Sequence, residues 1–350
     1  MKPEDYVLFM FSMKGVGKRV GLAHVKEKME RDLGSGEMAE TVLRKLVEKG
    51  FLEEIDGRFG ITEKGEAYFK RIYKGIKGEL LKVNRPWSIV YMAKKYYPIV
   101  IDTVFDFCKD RYVGFYCLFT EKRFFRRDFR GKKIVIKSRN EVLRFVGMHC
   151  IDVIPSVHKV GSKRPDWLVV DIDPGPKVGL KKVIEVTLAT FDLMKKLELN
   201  PRIKFSGSRG FQIWSMIEDF AIPKNYKPME LKSKKREINY FTIFSDFVRV
   251  IQNELENKFP GLTTSTVSSK EEREDKILLD PSSMKPMGLV RVPYGVHSKT
   301  GLVSLPLKRK DLKRFNFDKA TTEKAAERYE KKGNEFDLVP SSPRKLLELL

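Results

Sequence analysis

The chain of 350 residues is longer than one hydrophobic core usually needs, which predicts two domains or one large domain with an appendage. Its 69 lysines and arginines exceed its 47 acidic residues and give a formal charge of +22, which indicates a polyanionic partner such as nucleic acid. The apolar runs at residues 87–92 and 97–104 are too short to span a membrane, and no secretory signal is recognised, so we expect a cytoplasmic protein without membrane contact.

Residues 1–80 have the pattern of a small independent domain. Apolar residues recur at helical spacing over residues 6–13, 22–33 and 37–49. A hairpin follows, in which Asp56-Gly57 joins strands at residues 51–55 and 58–61. Three helices and a two-stranded wing predict a winged helix-turn-helix domain, with residues 37–49 as its recognition helix. The charges of that helix are mixed, so binding of a DNA duplex and docking of a protein both stay open.

The rest of the chain predicts a linker and a catalytic domain. Thr62 precedes a further helix through Tyr73. Residues 74–85 are basic and contain glycines, and Pro86 follows, which predicts a basic linker that we place at residues 81–90. Residues 91–350 mix strand and helix patterns, which predicts one catalytic domain of the α/β (α+β) class. Near the end of the chain, residues 321–332 predict an exposed helix and residues 341–350 a short helix that could bind a partner.

An arginine- and phenylalanine-rich segment covers residues 121–137. It interleaves basic and aromatic side chains, namely Arg123, Arg126, Arg127, Arg130, Lys132 and Lys133 with Phe124, Phe125 and Phe129. Such a segment can follow phosphates and stack on bases. A pair of strands with its aromatic rings in the core is an equally good interpretation.

The three cysteines, Cys108, Cys117 and Cys150, form an odd number without the spacing of a disulfide framework. This predicts idle or buried thiols in a reducing cytoplasm. His149 and His158 lie in the same stretch, but no close CxxC pair accompanies them. We therefore do not expect zinc.

Asp171 and Asp173 end the apolar run DWLVVDIDPG at residues 166–175. Two positions apart on a strand, their carboxylates point to the same face of the sheet. They repel each other there, and a divalent cation would relieve that repulsion. The pair therefore predicts a site for Mg²⁺ or Mn²⁺. A solvated strand end is the alternative for an isolated pair of this kind.

A glycine-rich bend and a third carboxylate follow. The bend, SGSRGFQIW at residues 206–214, lets backbone N–H groups approach a phosphate, and Ser206 and Arg209 can bind its oxygens. A simple hairpin turn would have the same pattern. Asp280 lies in a second apolar run, and His297 and Lys299 further along are suited to a triphosphate.

These motifs occur in a characteristic order: DIDPG at residues 171–175, SGSRGFQIW, then Asp280 ahead of VRVPYGVHSKTGLVSLPL at residues 290–307. In this order they resemble the archaeo-eukaryotic primase superfamily, as found in the catalytic subunit of primases. Residues 143–175 are also similar to the polymerase domain of the end-joining ligases called ligase D. The resemblance covers about residues 90–320 and implies an RRM-like mixed sheet with Asp171 and Asp173 near its centre.

The resemblance also implies residue roles. Asp171, Asp173 and Asp280 would hold two metal ions, Mg²⁺ or Mn²⁺. The residues implied to bind the nucleoside triphosphate are Ser206, Gly207, Arg209, Gly210, Gln212, Arg291, His297 and Lys299. A primer 3′-hydroxyl or a first nucleotide would attack the α-phosphate, with pyrophosphate leaving. The implied partners are a DNA template with a DNA or RNA primer, and a large primase subunit or a ligase.

Two departures from the family pattern matter. Gln212 stands where the family usually has histidine. A charge-assisted hydrogen bond contributes about 1.5–3 kcal/mol and a neutral one about 0.5–1.5 kcal/mol, so triphosphate binding should weaken. The zinc ribbon or knuckle of replicative primases is missing, which favours a specialised primase-polymerase or a repair polymerase.

The leading hypothesis is an archaeal-like DNA primase or primase-polymerase of DNA replication or repair, which adds nucleotides by two-metal phosphoryl transfer. An end-joining gap-filling polymerase is the closest alternative. A winged-helix nucleic-acid-binding factor with a degenerate catalytic domain belongs to a different class. A metal-dependent nuclease would leave Ser206, Arg209 and Lys299 without a role.

Overall fold

A computed structural model describes residues 1–119, 122–230, 236–266, 271 and 273–350. The chain divides into two units. The first is Met1–Met92 with Phe119, and the second is Ala93–Leu118 with Lys122–Leu350. In the described ranges, no helix combines the length and the apolar character that crossing a membrane requires.

The first unit combines helices with a three-stranded antiparallel sheet in the order β1-β3-β2. Its elements are α1 (Pro3–Lys14), β1 (Arg19–Gly21), α2 (Leu22–Leu33), α3 (Ala39–Glu48), β2 (Leu52–Ile55), β3 (Arg58–Ile61) and α4 (Glu63–Val83). The three predicted helices and the hairpin are therefore present, and the Thr62 hydroxyl caps α4 by accepting a hydrogen bond from Gly65 N at 3.0 Å. The assignment as a winged-helix domain and the role of α3 in duplex recognition stay predictions.

Residues 81–90, for which the sequence predicts a linker, are helical on both sides of Asn84. Helix α4 ends at Val83, and α5 (Arg85–Cys108) begins directly after Asn84. Asn84 is buried; its side chain accepts a hydrogen bond from Trp87 N at 3.1 Å and donates one to Asp32 at 2.7 Å. A buried, fully bonded junction explains why this basic stretch is ordered. The exact domain boundaries stay predictions.

The second unit is built on a seven-stranded sheet in the order β12-β13-β9-β11-β10-β14, with β15 paired to β11. The strands of the unit are β4 (Arg111–Phe119), β5 (Lys122–Arg126), β6 (Asp128–Phe129), β7 (Lys132–Lys133), β8 (Cys150–Lys159), β9 (Trp167–Pro174), β10 (Arg202–Phe205), β11 (Phe211–Ile217), β12 (Thr263–Thr264), β13 (Ile277–Asp280), β14 (Pro306–Leu307) and β15 (Pro340–Ser341). The pairs β12–β13 and β11–β15 are parallel and the others antiparallel, which confirms the predicted mixed sheet and α/β (α+β) class.

Further helices of the unit are α6 (Arg139–Gly147), α7 (Leu180–Lys196), α8 (Tyr240–Glu256), α9 (Arg309–Leu312), α10 (Thr322–Lys332) and α11 (Arg344–Leu347). Helices α7 and α8 contact β9 of this sheet, whereas α6 contacts β8. Strand β9 lies inside the sheet, between β13 and β11. Six of its eight residues are buried, including the run Trp167–Val170. Helix α10 matches the helix predicted at residues 321–332, and Thr321 caps it by accepting a hydrogen bond from Lys324 N. The proposal that the last ten residues bind a partner stays a prediction.

The cysteines depart from the predicted idle thiols. Cys117 on β4 and Cys150 on β8 are cross-strand neighbours and form a disulfide, whereas Cys108 is a buried free thiol. Because the two strands pair antiparallel, residues 33 positions apart in sequence come face to face. Both ring nitrogens of His158 have hydrogen-bond partners within the chain. Nε2 accepts a hydrogen bond from Met287 N at 3.1 Å, and Nδ1 lies 2.8 Å from the Lys159 carbonyl oxygen.

The arginine- and phenylalanine-rich segment forms β5 and the small hairpin β6–β7, apart from residue 121, which lies outside the described residues. Phe124 and Phe125 are each 37% exposed, so these two rings do not lie in the core. The Arg127 guanidinium lies 5.3 Å from the centre of the Phe125 ring. This part of the segment therefore presents aromatic and cationic groups together at a surface.

Candidate active site

Three neighbouring strands place the central polar residues of the candidate site in one row. Asp171 on β9 lies directly opposite Asp280 on β13 and opposite Gln212 on β11. Directly paired residues have Cβ atoms about 4.5–5.5 Å apart. Asp173 lies two positions further along β9 and therefore on the same face as Asp171. The sheet thus brings together the three carboxylates that the sequence singled out.

The surroundings of Asp171 favour the protonated form of its carboxyl group. Burial, followed by the charges of Asp173 and Asp280, raises its pKa to about 7. A hydrogen bond from Gln212 and the charge of Lys204 act in the opposite direction. The site therefore concentrates negative charge at a place with little solvent, and a cation would stabilise it.

The other two carboxylates have partners within the chain. Asp173 accepts a hydrogen bond from Arg209 Nη2 at 3.4 Å and pairs with the Arg273 guanidinium. Asp280 accepts from the Ser282 backbone N–H at 2.8 Å and from its hydroxyl at 2.7 Å. Accordingly, in the part of the chain that the structure describes, no three acidic, histidine or cysteine side chains already form a metal-holding group. An ionised carboxylate has about four lone-pair sites, so Asp173 and Asp280 can still bind a cation while they keep these partners.

A cavity of about 350 Å³ opens over Asp171 and Gln212. Phe125 of β5 and Arg127, which directly follows that strand, line it together with Arg291. Part of the arginine- and phenylalanine-rich segment therefore faces the row of carboxylates, although more than 40 residues separate Phe125 from Asp171 in the sequence. An aromatic face, two guanidinium groups and a carboxylate around one cavity are suited to a nucleotide, whose base can stack and whose phosphates need cations.

The glycines of the SGSRG bend allow close backbone approach at two positions. A Cβ atom on Gly210 would lie 1.9 Å from the carbonyl oxygen of Ile172, the residue between the two β9 carboxylates. Gly207 has φ +89°, and a Cβ atom there would lie 2.9 Å from the His297 Cβ. No side chain fits at either position, so these two glycines bring the bend against β9 and against His297.

His297 is neutral in this environment. Burial, followed by the charge of Arg291, lowers its pKa to about 4. Its Nδ1 accepts hydrogen bonds from Lys299 N at 3.1 Å and Thr300 N at 3.3 Å, so its proton resides on Nε2. His297 can therefore offer a phosphate a neutral N–H donor rather than a positive charge.

Arg291 is anchored by a buried carboxylate that the sequence did not identify. Asp152 on β8 is completely buried and accepts hydrogen bonds from Arg291 Nε at 2.6 Å and Nη2 at 3.0 Å. It also accepts from the Ser298 backbone N–H at 3.0 Å and hydroxyl at 2.9 Å. The third arm of the guanidinium, Nη1, donates to the Ser206 carbonyl at 2.8 Å. Asp152 thus ties the glycine-rich bend to the loop that carries His297.

Two further buried side chains continue the row across the sheet. Lys204 on β10 lies opposite Gln212, is completely buried, and donates to the Ser304 hydroxyl at 2.7 Å. Burial holds its pKa well below the usual range, with Arg291 acting in the same direction. Gln212 is 5% exposed, bonds to Asp171, and accepts from Trp214 Nε1 at 3.3 Å. In this arrangement its amide orients the carboxylate; contact with a triphosphate stays a prediction.

Residues 118–336 match the family model described as the LigD primase-polymerase domain, which covers well over half of the chain. The chain belongs to this family. The match confirms the resemblance to the archaeo-eukaryotic primase superfamily that the ordered motifs predicted. It supports the end-joining alternative better than the leading primase hypothesis.

Two relatives of the LigD primase-polymerase family define how far the similarity extends. The multifunctional non-homologous end joining protein LigD of Pseudomonas aeruginosa is 28% identical over 151 residues, which are 43% of this chain and 16% of the relative. The chain therefore spans a small part of that protein. The polymerase domain of Mycobacterium tuberculosis ligase D, solved in complex with DNA, superimposes with a TM-score of 0.58 at 17% identity over 69% of this chain and 88% of that one. The second likeness is one of fold.

Within the family fold, the carboxylate row fits a divalent cation on the chemistry of its donors. Oxygen ligands from several carboxylates are what Mg²⁺ and Mn²⁺ prefer. Burial and the neighbouring charges of Asp173 and Asp280 raise the pKa of Asp171, and a bound cation would oppose both effects. Ser206, Gly207, Arg209, Gly210, Arg291 and His297 lie around this row through the contacts described. The metal ions and the triphosphate contacts of these residues and of Lys299 stay predictions.

The pKa of Asp171 predicts how cation binding should depend on pH. The pKa of Asp171 is about 7 in the folded chain and about 3.9 in the unfolded chain, so without metal the folded state binds this proton more tightly. The proton therefore stabilises the folded state at low pH, and that stabilisation is lost as pH rises from about 4 to 7. Cation binding needs the ionised carboxylate and should grow over the same range. We expect saturating Mn²⁺ to raise the melting temperature by about 5–10 °C at pH 8 and by less at pH 6, as measured by differential scanning fluorimetry.

The matched control for this measurement is Asp171→Asn, which keeps the shape of the side chain without the charge. Without metal, the variant should be at least as stable as the unmodified chain at pH 8. Its melting temperature should not respond to Mn²⁺. An equal rise in both proteins would place the cation elsewhere.

Proposed function

We propose that this chain is a template-dependent nucleotidyltransferase that fills short gaps during end-joining repair of DNA. The observation that carries the proposal is the row Asp280–Asp171–Gln212 across three paired strands, below a cavity lined by Phe125, Arg127 and Arg291. Membership of the LigD primase-polymerase family supports end joining over primer synthesis.

In the proposed reaction, Asp171, Asp173 and Asp280 would hold two divalent cations. Bound there, the cations would favour ionisation of the attacking 3′-hydroxyl and offset the charge of the leaving pyrophosphate. Gln212 orients the Asp171 carboxylate through its hydrogen bond. Arg209, which donates a hydrogen bond to Asp173 at 3.4 Å, would bind an oxygen of the triphosphate.

The phosphate side of the proposed site is built on the loop held by Asp152. His297 Nε2–H would donate to a phosphate oxygen without adding charge, and Lys299 would supply the charge. Phe125 would stack on a base at the mouth of the cavity, with Arg127 beside it. Desolvation of these groups strengthens each interaction with the reacting phosphate.

The test is nucleotide incorporation by the purified chain with Mg²⁺ or Mn²⁺. We expect addition to a primer across a short gap with a 5′-phosphate, and little or no product on an unprimed single-stranded template. Products on the unprimed template would favour the primase hypothesis instead. Absence of incorporation on both substrates would favour the nucleic-acid-binding factor with a degenerate catalytic domain.

A further inference from the structure

A second basic cavity lies in the C-terminal part of the chain, outside the site described above. Its volume is about 620 Å³, and its charged lining consists of Lys310, Asp311, Lys313, Arg314, Lys319 and Arg328. We name it the C-terminal basic cavity. It is built by α9, the short turn Phe317–Ala320 and α10.

The positive charge of this cavity is not balanced from within. Its one acidic lining residue, Asp311, accepts a hydrogen bond from Arg328 Nη2 at 2.9 Å, and Arg328 also pairs with Glu335. Among the described residues, no carboxylate pairs with Lys310, Lys313 or Arg314, and all three side chains are exposed. Like charges that converge on a concave surface repel each other and focus a positive potential that attracts anions.

The charge continues beyond the cavity in one direction. A neighbouring cavity of about 310 Å³ shares Lys319 and Arg328 and adds Lys331 and Lys332, while Lys324 is neutralised by Glu327 at 3.0 Å. Over residues 308–332, ten basic residues face five acidic ones, so the local excess is about three times that expected from the charge of the whole chain. An extended track of cations suits a linear polyanion better than a single small anion.

The basic stretch at residues 308–332 directly follows β14, a strand of the sheet that carries the row of carboxylates. Leu307, directly before this stretch, belongs to β14, and Pro306 of that strand lies opposite Lys204, which lies opposite Gln212. Three inter-strand steps separate β14 from β9, a distance of about 14 Å. Phe317, in the turn next to the cavity, is 41% exposed and offers a face on which a base can stack.

We propose that the C-terminal basic cavity is a second nucleic-acid site, which binds the phosphate backbone of a single-stranded segment outside the catalytic cavity. The choice of nucleic acid rests on the proposed function, and the site would hold the strand through Lys310, Lys313 and Arg314. Such a contact would add affinity that does not depend on base sequence.

The experiment compares two variants of the full chain that lose equal charge. Lys313→Ser/Arg314→Ser removes two cations from the cavity, whereas Lys224→Ser/Lys227→Ser removes two exposed lysines outside it. Binding of a fluorescent single-stranded DNA of about 20 nucleotides is followed by anisotropy between 50 and 200 mM NaCl. The cavity variant should bind about tenfold more weakly at the lowest salt concentration, with a salt slope smaller by about 1.4.

The control variant should keep the salt slope of the unmodified chain. Equal slopes in all three proteins, or equal losses in both variants, would overturn the proposal. So would equally tight binding of an inorganic polyphosphate with the same sensitivity to Lys313→Ser/Arg314→Ser. Because the assay measures binding without nucleotide addition, a chain that fails to incorporate nucleotides can still support the second site.

Discussion

Replacement of Asp171 with asparagine should lower the rate of nucleotide incorporation by at least about a thousandfold. Asp171 lies between Asp280 and Gln212 and is the carboxylate on which the charges of the site converge. Metal-ion stabilisation of a developing charge contributes several kcal/mol, and about 4 kcal/mol corresponds to three orders of magnitude in rate. The measurement is single-turnover extension of a gapped primer at saturating nucleotide and Mn²⁺.

The substitution separates catalysis from folding. Asparagine has nearly the same volume as aspartate, and it removes a carboxyl group whose ionisation is disfavoured in the folded chain. The melting temperature without metal should therefore not fall. Asp192→Asn, which breaks an exposed ion pair with Arg309 at 2.6 Å, is the matched loss of charge and should leave the rate within about twofold. Retention of most activity by Asp171→Asn would contradict the assignment of the site.

The sequence predicted the parts of this site that lie within short segments. Two carboxylates at alternate positions of an apolar strand share a face whatever the rest of the fold is, so Asp171 and Asp173 could be paired directly. The glycines of the SGSRG bend predicted a close approach, and the structure places Gly210 against the Ile172 carbonyl. The order of the motifs carried the family resemblance, and with it the mixed sheet.

Residues whose role depends on distant parts of the chain escaped detection. Asp152 is a single acidic residue in an apolar strand, and its partner Arg291 lies 139 positions away. Lys204 is a single lysine shortly before the glycine-rich bend, and its sequence context does not indicate burial, yet it is buried in the sheet opposite Gln212. Arg273 reaches Asp173 across 100 residues. These pairings follow from strand register, which a single sequence does not specify beyond hairpins.

Local composition was misleading in two places. Residues 74–85 are basic and contain Gly75 and Gly78, which predicted irregular chain, but both glycines lie in α4, where an added Cβ would meet open space. A helix tolerates glycine at such positions at about 1 kcal/mol each when packing elsewhere along it compensates. Cys117 and Cys150 lacked recognisable spacing because their pairing depends on the antiparallel contact of β4 and β8.

Replacement of Asp152 with alanine should destabilise the second unit by about 3–5 kcal/mol, the typical cost of leaving a buried charge without its partner. Although burial alone would raise the pKa of Asp152, the Arg291 guanidinium and the hydrogen bonds from Ser298 hold it below its usual range. The carboxylate is therefore charged in the folded chain. The melting temperature should fall by about 10 °C, and the midpoint of urea denaturation should fall with it.

Two further variants distinguish a lost charge pair from a simple cavity. Ser298→Ala removes one hydrogen bond to the same carboxylate and should cost only about 1 kcal/mol. Asp152→Leu combined with Arg291→Met removes both charges and should be less destabilising than Asp152→Leu alone, because no guanidinium then stays buried without a counter-charge. If the double variant were instead as unstable as the sum of its single changes, packing rather than charge pairing would account for the stability at Asp152. A stable double variant that no longer binds nucleoside triphosphate would show that the Asp152–Arg291 pair serves the phosphate site rather than the stability of the fold. Loss of binding in Ser298→Ala as well, which keeps Arg291, would assign that effect to the position of the His297 loop.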